Sequence, residues 1–502
     1  MRRTLAIAIA TAFGAASSSS VAVILNPRGT GQVLIYPYYT VNHQQTLVSI
    51  VNTQEFQKAL KVRFREGYDG REVASFNLYL GGYDTWVGAV FDTSGDGSGG
   101  AAIATNDSSC TVPQFDATFF PSGAKVLAFS NKNYSQGEYG MPTGTDSGPT
   151  GLDRTREGFI EVIEMGVIFG GSTDTQNCTQ IVNAWTPGGY WTANPKVDLE
   201  HPLGGLYGAA GIVDVAQGTL YAYDATAIDG FSDLIQHTAP GDAKPNLGTA
   251  VTDSEADIAT AYVPIGNAMI KADYPASTRG VDAVSAVLMA DTLYNEFNVE
   301  AGLGAATDWL ITFPTMRFYV DPAIVGTMAG HYLPPFEETF GGGLLNGVVQ
   351  DPGVSCMNVT PSIFDRDGAA PQGHGCGILC PADGPVLCDT TAIISFGEVS
   401  YSAALGSNLL LQAPLFPIPA GGYSPLPPAG HFQLGFSDIG QQELRPALNG
   451  MIFHGVPAIG FAATNYINAN VTPGVLSNYS AVYPHRASAS CTNSTTPQSA
   501  CQ

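Results

Sequence analysis

Residues 92–100, DTSGDGSGG, place side-chain oxygens at alternate positions ahead of a glycine-rich turn. Asp92, Ser94 and Asp96 occupy the first, third and fifth positions of a calcium loop, and a glycine follows where such a loop turns sharply. Ile103, however, occupies the twelfth position, where a bidentate glutamate would complete the calcium shell. The pattern favours a flexible hairpin tip, with calcium bound by Asp92, Ser94 and Asp96 as the alternative.

The cysteines form the second group with potential chemistry. They are Cys110, Cys178, Cys356, Cys376, Cys380, Cys388, Cys491 and Cys501. His374 lies among the middle four, which suggests a metal site, but the spacings do not match the paired knuckles of closed zinc sites. An even number of cysteines favours disulfides in an exported chain, and the N-terminal residues, described below, predict export. Proximity suggests Cys110 with Cys178 and Cys491 with Cys501, and the middle four are left to pair among themselves in an order that the sequence does not fix.

Catalytic signatures are missing from the sequence. GDGSGG differs from a serine-protease signature by an inserted glycine, and GFSDIG around Ser437 is not the GxSxG turn of a nucleophile elbow. The histidines form no HExxH motif. Glu161 and Glu164 lie three apart on a predicted strand and therefore point to opposite faces of the sheet. We therefore expect no enzyme and no catalytic residue, and a secreted polysaccharide-acting enzyme is the least favoured alternative.

Basic side chains cluster on two adjoining predicted strands of an otherwise acidic chain. They are Lys61, Arg63, Arg65 and Arg71. In LKVRFR, residues 60–65, apolar and basic residues alternate, which predicts that the basic side chains face water. One hypothesis is a stripe that binds anions or polysaccharide. The alternative is an exposed sheet face in which these residues pair across strands with Glu55, Glu66 or Glu72.

The elements that would position these residues are mainly short strands. β-rich runs with turns between them recur at 33–41, 46–53, 60–65, 73–80 and 83–91, and a hairpin is predicted over 206–228. Helical spacing of apolar residues predicts a helix near 280–290. The fold class expected is mostly β, with immunoglobulin-like sandwich domains, long disulfide-stapled loops and few short helices.

We divide the chain into a signal peptide at 1–22, an N-terminal β-sandwich domain at 23–200 and a C-terminal β-rich domain at 201–486. The second domain carries a cysteine-rich insertion at 332–390, and a polar tail follows at 487–502. Arg2 and Arg3 precede an apolar run that is shorter than the roughly 20 residues needed to span a bilayer, as in a secretory signal peptide. We find no other apolar stretch that predicts a membrane span.

The formal net charge is −23, and it becomes −25 once Arg2 and Arg3 are removed with the signal peptide. Such a field repels nucleic acid and anionic lipid, so neither is an expected partner. Charged residues nevertheless make up only 13% of the chain, beside 44% hydrophobic residues, so a disordered acidic segment is excluded. These proportions favour a folded exported protein with neutral polar surfaces.

Several stretches resemble a group of uncharacterised exported proteins of Gram-negative bacteria. They are GQVLIYPYYTVN, NLYLGGYDTW, TNDSSCTVP, TDWLITFPT and GVPAIGFAATNYINANV, spread from about Gly31 to Arg486. The group has no assigned activity, so the resemblance implies export and assigns no catalytic residue. Relative to its pattern, 92–100 resembles a variable insertion.

The function expected is therefore that of an exported structural or adhesive protein of the periplasm, outer surface or extracellular space. Its expected partners are copies of itself or envelope and matrix components, and the only cofactor considered is calcium. Self-assembly could use 33–41 as an edge strand donated to a neighbour. The alternative function is a carbohydrate- or ligand-binding β-sandwich module.

Overall fold

The computed structural model describes residues 22–95, 98–136, 146, 148–169, 177–325, 332–337, 344–345, 348–349, 355–370, 386–396, 415–417, 426–436, 442–472 and 474–494. The predicted signal peptide lies outside these ranges except for Ala22, as does the last part of the polar tail. Over the described ranges the chain is mostly β, with several sheets and only short helices. None of the helices in these ranges is long and apolar enough to cross a membrane.

The first half of the chain forms two large sheets. Their strands are β1 (Ile24–Leu25), β2 (Val33–Thr40), β3 (Gln45–Asn52), β4 (Gln57–Glu66), β5 (Glu72–Leu80), β6 (Thr85–Asp92), β7 (Ala101–Thr105), β8 (Cys110–Val112), β9 (Lys125–Ala128), β10 (Glu157–Ile168), β11 (Leu199–Glu200), β12 (Leu206–Asp214), β13 (Thr219–Asp224) and β14 (Thr226–Asp229). Sheet A has the order β1-β14-β2-β10-β4-β5-β8, with β11 added beside β10. Sheet B has the order β13-β12-β3-β6-β7-β9. Residues 206–229 therefore complete these two sheets, beyond the expected boundary at residue 200.

Sheets A and B pack face to face around one apolar core. Leu60, Val62 and Phe64 of β4 contribute to it from sheet A, and Trp86 of β6 contributes from sheet B. Every second residue of these strands points into the core because side chains alternate along a strand. The first half of the chain is therefore a β-sandwich.

One close approach between the two sheets requires a glycine. Tyr36 of sheet A reaches across the core and donates a hydrogen bond to the backbone oxygen of Ser49 in sheet B, at 2.6 Å. A Cβ at Gly208 would lie 1.9 Å from the Tyr36 hydroxyl, so only glycine leaves room for this contact.

A third layer covers the other face of sheet A. It consists of residues 177–204 and 231–250, here called the covering layer, and contains α2 (Cys178–Ala184) and α3 (Tyr190–Ala193), which follow α1 (Lys132–Ser135) along the chain. Ala59, Tyr79 and Met165 of sheet A pack there against Ile181 and Trp191. The Cys110–Cys178 disulfide joins the start of α2 to β8, at the edge of sheet A. Sheet A is thus buried on both faces.

The second half of the chain adds smaller sheets. Its strands are β15 (Ile258–Ile265), β16 (Ala268–Pro275), β17 (Met289–Ala290), β18 (Thr292–Asn298), β19 (Ala305–Thr312), β20 (Leu344–Leu345), β21 (Val348–Val349), β22 (Cys356–Asn358), β23 (Thr360–Asp365), β24 (Val386–Cys388), β25 (Thr391–Phe396), β26 (Leu415–Pro417), β27 (Ala429–Gly435), β28 (Met451–Phe453), β29 (Val456–Pro457), β30 (Ile459–Thr472), β31 (Val475–Pro484), β32 (Arg486–Ser488) and β33 (Cys491–Asn493). Its helices are α4 (Ala276–Leu288), α5 (Arg317–Val320) and α6 (Pro322–Val325).

Sheets C and D form a second sandwich. Sheet C has the order β23-β27-β18-β32, and sheet D has the order β26-β25-β19-β30-β31. Trp309 of sheet D meets Phe432 of sheet C with ring centroids 4.7 Å apart. The far face of sheet D joins the first core, where Phe461 stacks on Tyr223 at 4.9 Å. The two sandwiches therefore share buried apolar surface.

The helix predicted near 280–290 is confirmed as α4, which ends at Leu288 where the chain continues as β17. It packs on the β15–β16 hairpin and is buried on nearly every side. The mostly β fold class is also confirmed, whereas the immunoglobulin-like connectivity stays a prediction. The suggestion that 33–41 forms an edge strand is wrong, because β2 lies between β14 and β10 and all eight of its residues are buried.

Candidate functional site

The basic residues predicted to face water are buried. Lys61 and Arg63 are 0% exposed and Arg65 is 1% exposed. Alternation along β4 does place them opposite the core side chains Leu60, Val62 and Phe64, as the sequence indicates. The prediction of exposure is wrong because the covering layer lies over this face, which the alternation of one strand cannot reveal.

Each of these charges meets a partner within the protein. Arg63 Nε lies 2.7 Å from a carboxylate oxygen of Glu72, and its other nitrogens donate to the backbone oxygens of Pro245 and Asp242 in the covering layer. Arg65 Nε lies 2.6 Å from Glu161 Oε1. A buried charge is tolerated only with such compensation. This face therefore cannot serve as the predicted binding stripe.

Lys61 is the least compensated of the three. Its ammonium donates to the backbone oxygen of Ala239 at 2.9 Å. Burial, and then the neighbouring charge of Arg63, lower the pKa of Lys61 to about 7. Sheet A thus holds, below the covering layer, a lysine that is close to losing its proton at neutral pH.

Arg71 belongs to a separate buried cluster at the tip of the β4–β5 hairpin. The Glu66 carboxylate accepts the backbone N–H of Arg71 at 2.8 Å, and Arg71 Nη2 lies 3.1 Å from Asp321 Oδ1. Arg154 Nη2 lies 3.1 Å from Glu66 and 2.8 Å from Asp146. Because Asp321 belongs to the second half of the chain, this cluster fastens the hairpin tip to it. Arg71 therefore contributes to the junction between the two halves and does not face water.

Two carboxyl groups of this cluster differ in protonation. Burial, and then a hydrogen bond to Asp146, raise the pKa of Asp69 well above its ordinary value. Burial opposes ionisation of Asp146 as well, but hydrogen bonds from Asp69 and Arg154 outweigh it and lower the pKa of Asp146 to about 2. The Asp69 carboxyl therefore holds its proton more strongly than the Asp146 carboxyl does.

Glu161 and Glu164 lie on opposite faces of sheet A, as expected from their spacing. Glu161 pairs with Arg65 below the covering layer, whereas Glu164 Oε1 lies 2.6 Å from Lys58 Nζ. Glu164 also accepts the backbone N–H groups of Leu203 and Gly204. Both carboxylates have buried structural partners, so they do not form the two sides of a cleft.

A histidine in the covering layer combines hydrogen bonds with aromatic packing. Tyr79 Oη lies 2.9 Å from His237 Nε2, and Trp185 Nε1 donates to Tyr79 Oη at 2.7 Å. His237 Nδ1 donates to the backbone oxygen of Pro195. Burial lowers the pKa of His237 to about 4, so the ring is neutral and accepts from Tyr79. Both ring nitrogens are used within the protein, which makes this group part of the packing.

The calcium candidate lies where a hairpin tip was predicted, between β6 and β7. Asp92 pairs with Ala101 across the hairpin, and its Oδ1 lies 3.2 Å from Arg156 Nη1. The same oxygen accepts the backbone N–H and the hydroxyl of Ser94. Asp96 lies outside the described residues. In the parts of the chain that are described, no three His, Cys, Asp or Glu side chains cluster as a metal site would require.

The cysteines form disulfides where the structure describes them. Cys110–Cys178 matches the expected pair, and Cys356–Cys388 joins neighbouring strands β22 and β24. Cys491 is also disulfide-bonded. Cys376, Cys380 and Cys501 lie outside the described residues.

The exposed face of sheet B carries almost no charge. Its outward-pointing residues, here called the outer face, are Gln45, Leu47, Ser49, Val51, Thr85, Val87, Ala89, Phe91, Ala104, Tyr207, Ala209, Gly211, Val213, Leu220, Ala222 and Asp224. Asp224, at the end of edge strand β13, is the one charged member of this set. Outward positions of an antiparallel sheet that faces water are normally polar, so this face is unusual.

A row of small side chains forms a groove across the outer face. Ala222 and Gly211 lie side by side on β13 and β12, Ala89 and Ala104 lie side by side on β6 and β7, and the larger Leu47 of β3 stands between the two pairs. The groove has a volume of about 570 Å³. The Leu220 side chain covers the space beside Gly211, because a Cβ built on Gly211 would lie 2.8 Å from the Leu220 side chain.

Large apolar side chains rise beside this groove. Val87 and Leu220 are each 50% exposed, and Leu47 is 47% exposed. Phe119 extends the apolar surface at one end, where it packs beside Phe91 with ring centroids 5.9 Å apart. The outer face is therefore apolar and corrugated.

Each edge strand of sheet B has backbone groups that are bonded to another part of the protein. At β13, the Ser480 hydroxyl of β31 donates to the Leu220 backbone oxygen at 2.9 Å and accepts the Leu220 N–H at 3.1 Å. At β9, Asp116 and Val126 exchange backbone hydrogen bonds of 2.8 Å. These contacts favour the approach of a partner to the face of sheet B.

Comparisons with protein-family models, with curated proteins and with solved structures found no match to this chain.

The outer face was missed by reasoning from sequence, although its signal is present there. The runs TLVSIVNT, TWVGAV and LYGAAGIV contain no charged residue on either face of the strand. Such runs are typical of strands buried on both faces, whereas KALKVRFR suggests a strand exposed on one face. In the structure the uncharged strands β3, β6 and β12 are exposed on one face, and β4 is buried on both faces.

Proposed function

We propose that this chain is an exported, non-catalytic structural protein of the cell envelope or extracellular space, and that it associates with a second copy of itself through the outer face. The observation that carries the proposal is the lack of charge on that face, apart from Asp224 at its rim. Disulfides such as Cys110–Cys178 support an oxidising compartment.

Charge favours a second copy that meets this face. Two molecules with a net charge of −25 each repel one another, and this repulsion is smallest when the surfaces that meet are uncharged. The outer face meets that condition and offers exposed apolar side chains at Leu47, Val87 and Leu220. Burial of such side chains stabilises association by about 25 cal/mol per Å².

The size of the outer face fits an interface between two copies. With strands about 4.8 Å apart and a rise of about 3.4 Å per residue, sheet B covers roughly 600 to 700 Å². Each partner in a standard interface buries about 800 Å². The exposed side chain of Phe119, at one end of the outer face, adds apolar area towards this value. A face that meets its own copy gives a two-fold dimer, in which the ridges of one copy lie in the groove of the other.

Sedimentation velocity of the chain from Val23 onward, over a range of micromolar concentrations, tests this proposal. We expect a monomer–dimer equilibrium that shifts towards dimer as the salt concentration rises, because salt screens the repulsion between two acidic molecules and leaves apolar contacts intact. A monomer at every concentration and salt would overturn the proposal. An association that weakens with salt would place the interface on charged surface instead.

A further inference from the structure

The open end of the second sandwich holds a cleft of about 340 Å³, a size within the range of small-ligand pockets. Pairing of β18 with β32 stops at Tyr294, so the end of β18 around Glu296 borders this cleft. β30 and β31 of sheet D bring Tyr466 and Tyr483 to the opposite wall. We call this space the tyrosine cleft.

Aromatic rings provide flat apolar surface in the tyrosine cleft. Tyr483 is 46% exposed. His431 stacks on Phe364 with ring centroids 4.7 Å apart and planes 11° apart, which fixes its ring as a flat wall. Tyrosine and histidine present an apolar body and a polar tip, so they can contact a ligand that has both apolar and hydroxyl-bearing surfaces.

Hydrogen-bonding groups stand beside these rings. Glu296 is exposed, and within the described ranges its carboxylate makes no hydrogen bond or ion pair, so it is free to accept hydroxyl groups. Arg366 also lines the cleft and lies 3.2 Å from Glu300 Oε2. Tyr466 also lines the cleft, and burial, then the neighbouring Tyr483 and Glu296, raise the pKa of its hydroxyl.

The walls are held in place by contacts outside the cleft. Trp309 Nε1 donates to the backbone oxygen of Glu296 at 3.2 Å. The Asp365 carboxylate accepts the backbone N–H groups of Asp367 and Ala369, at 2.9 and 2.8 Å, which fixes the turn that carries Arg366. Groups held in this way lose little conformational freedom when a ligand binds.

The charges around the tyrosine cleft select against anions. Glu296, Asp365 and Glu300 carry three negative charges, against the single positive charge of Arg366. An acidic sugar or a phosphate would be repelled by this surplus and by the charge of the whole protein. A neutral ligand with an apolar face and several hydroxyl groups matches the aromatic walls and the free carboxylate.

We propose that the tyrosine cleft binds a neutral saccharide, with a sugar ring against Tyr483 and its hydroxyl groups donating to the Glu296 carboxylate. The site is distinct from the outer face, and binding here is independent of self-association. It also replaces the basic stripe, whose residues are buried, as the site for the carbohydrate-binding alternative.

Saturation-transfer NMR and calorimetry on the chain from Val23 onward test this site with four neutral disaccharides: maltose, cellobiose, lactose and chitobiose. The acidic disaccharide of hyaluronan is the matched anionic probe. We expect millimolar or tighter binding of at least one neutral disaccharide and weaker binding of the acidic one. Binding of the acidic probe alone, or of none of the five, would overturn the proposal.

Two variants assign binding to the cleft. Tyr483→Ala and Glu296→Gln change exposed side chains, so we expect both to fold, with affinity for the bound disaccharide reduced roughly tenfold. Tyr83→Ala is the matched control, because Tyr83 is 72% exposed and lies on the first sandwich. Affinity equal to that of the unaltered protein in both cleft variants, with native circular dichroism spectra, would contradict this site.

Discussion

Two sheet faces of the first sandwich reverse the usual distribution of charge. The face of sheet A below the covering layer holds Lys61, Arg63, Arg65 and Glu161, all 0–1% exposed. The outer face of sheet B is open to water and has one charged residue, Asp224. The charges of the first face form ion pairs within sheet A or donate to backbone oxygens of the covering layer. The second face leaves apolar surface available to another molecule.

The difference shows what strand alternation can and cannot establish. Alternation tells which side chains share a face of a sheet, because successive side chains point to opposite sides. It does not tell what lies against that face. In β4 the covering layer hides the basic residues, and in β3 and β6 nothing among the described residues hides Leu47 and Val87.

The largest expected effect comes from leaving a charge of the covered face without its partner. Glu161→Ala should lower the free energy of unfolding by about 3 to 5 kcal/mol, because Arg65 would stay buried and unpaired. Urea denaturation measures this change. The double variant Arg65→Met/Glu161→Leu should recover most of the loss, since an apolar pair needs no compensation. Equal stability of Glu161→Ala and the unaltered protein would show that water reaches this face.

The next effect is a pH dependence due to Lys61. Its pKa is about 7 in the folded protein and about 10.5 when unfolded, so between these values the unfolded chain binds one more proton. The free energy of unfolding should therefore rise with pH, by up to about 1.4 kcal/mol per pH unit above pH 7. Denaturation at pH 7, 8 and 9 in the unaltered protein and in Lys61→Met measures this slope.

The slope assigned to Lys61 should be absent in Lys61→Met and unchanged in Lys196→Met, because Lys196 is exposed. If Lys61→Met kept the full slope, another group would be responsible and Lys61 would carry its ordinary charge in the folded state.

A smaller effect is expected on association through the outer face. Val87→Lys places a charge among apolar neighbours and should weaken the dimer by at least about tenfold, or about 1.4 kcal/mol. Met269→Lys is the matched control, because Met269 is 61% exposed on β16, away from sheet B. Sedimentation velocity of the two variants separates a specific interface from a general effect of charge. Equal weakening by both would argue against the outer face.

The smallest effect is the stability of the monomer that carries Val87→Lys. Because Val87 is half exposed, its replacement should change the free energy of unfolding by no more than about 0.5 kcal/mol at concentrations where only monomer is present. A loss of several kcal/mol would mean that Val87 is packed within the molecule.

Local patterns predicted much of the fold. The alternation in KALKVRFR placed β4 and the shared face of Leu60, Val62 and Phe64, and helical spacing located α4. The pair Cys110–Cys178 followed from the order of the cysteines along the chain. These features depend on neighbours in sequence, which is why the sequence alone contains them.

The sites depended on contacts between distant segments and were not predicted. The backbone oxygens of Pro245 and Asp242 that accept hydrogen bonds from Arg63 follow it by about 180 residues. The tyrosine cleft likewise needs Glu296 and Tyr483 to meet between sheets C and D. The outer face was overlooked because uncharged strands are usually buried on both sides. Only the arrangement of the layers shows which uncharged face remains open.

The central claim is that the charged face of sheet A is buried and that the uncharged outer face of sheet B is open in the monomer. Hydroxyl-radical footprinting at low and high protein concentration tests this claim most directly. Tyr207 and Leu220 on the outer face should be oxidised in dilute solution and protected when the protein is concentrated. Tyr79 and Trp191, behind the covered face, are 0–1% exposed and should resist oxidation at both concentrations. Oxidation of Tyr79 to the extent of Tyr207, or oxidation of Tyr207 and Leu220 that does not change with concentration, would contradict this account.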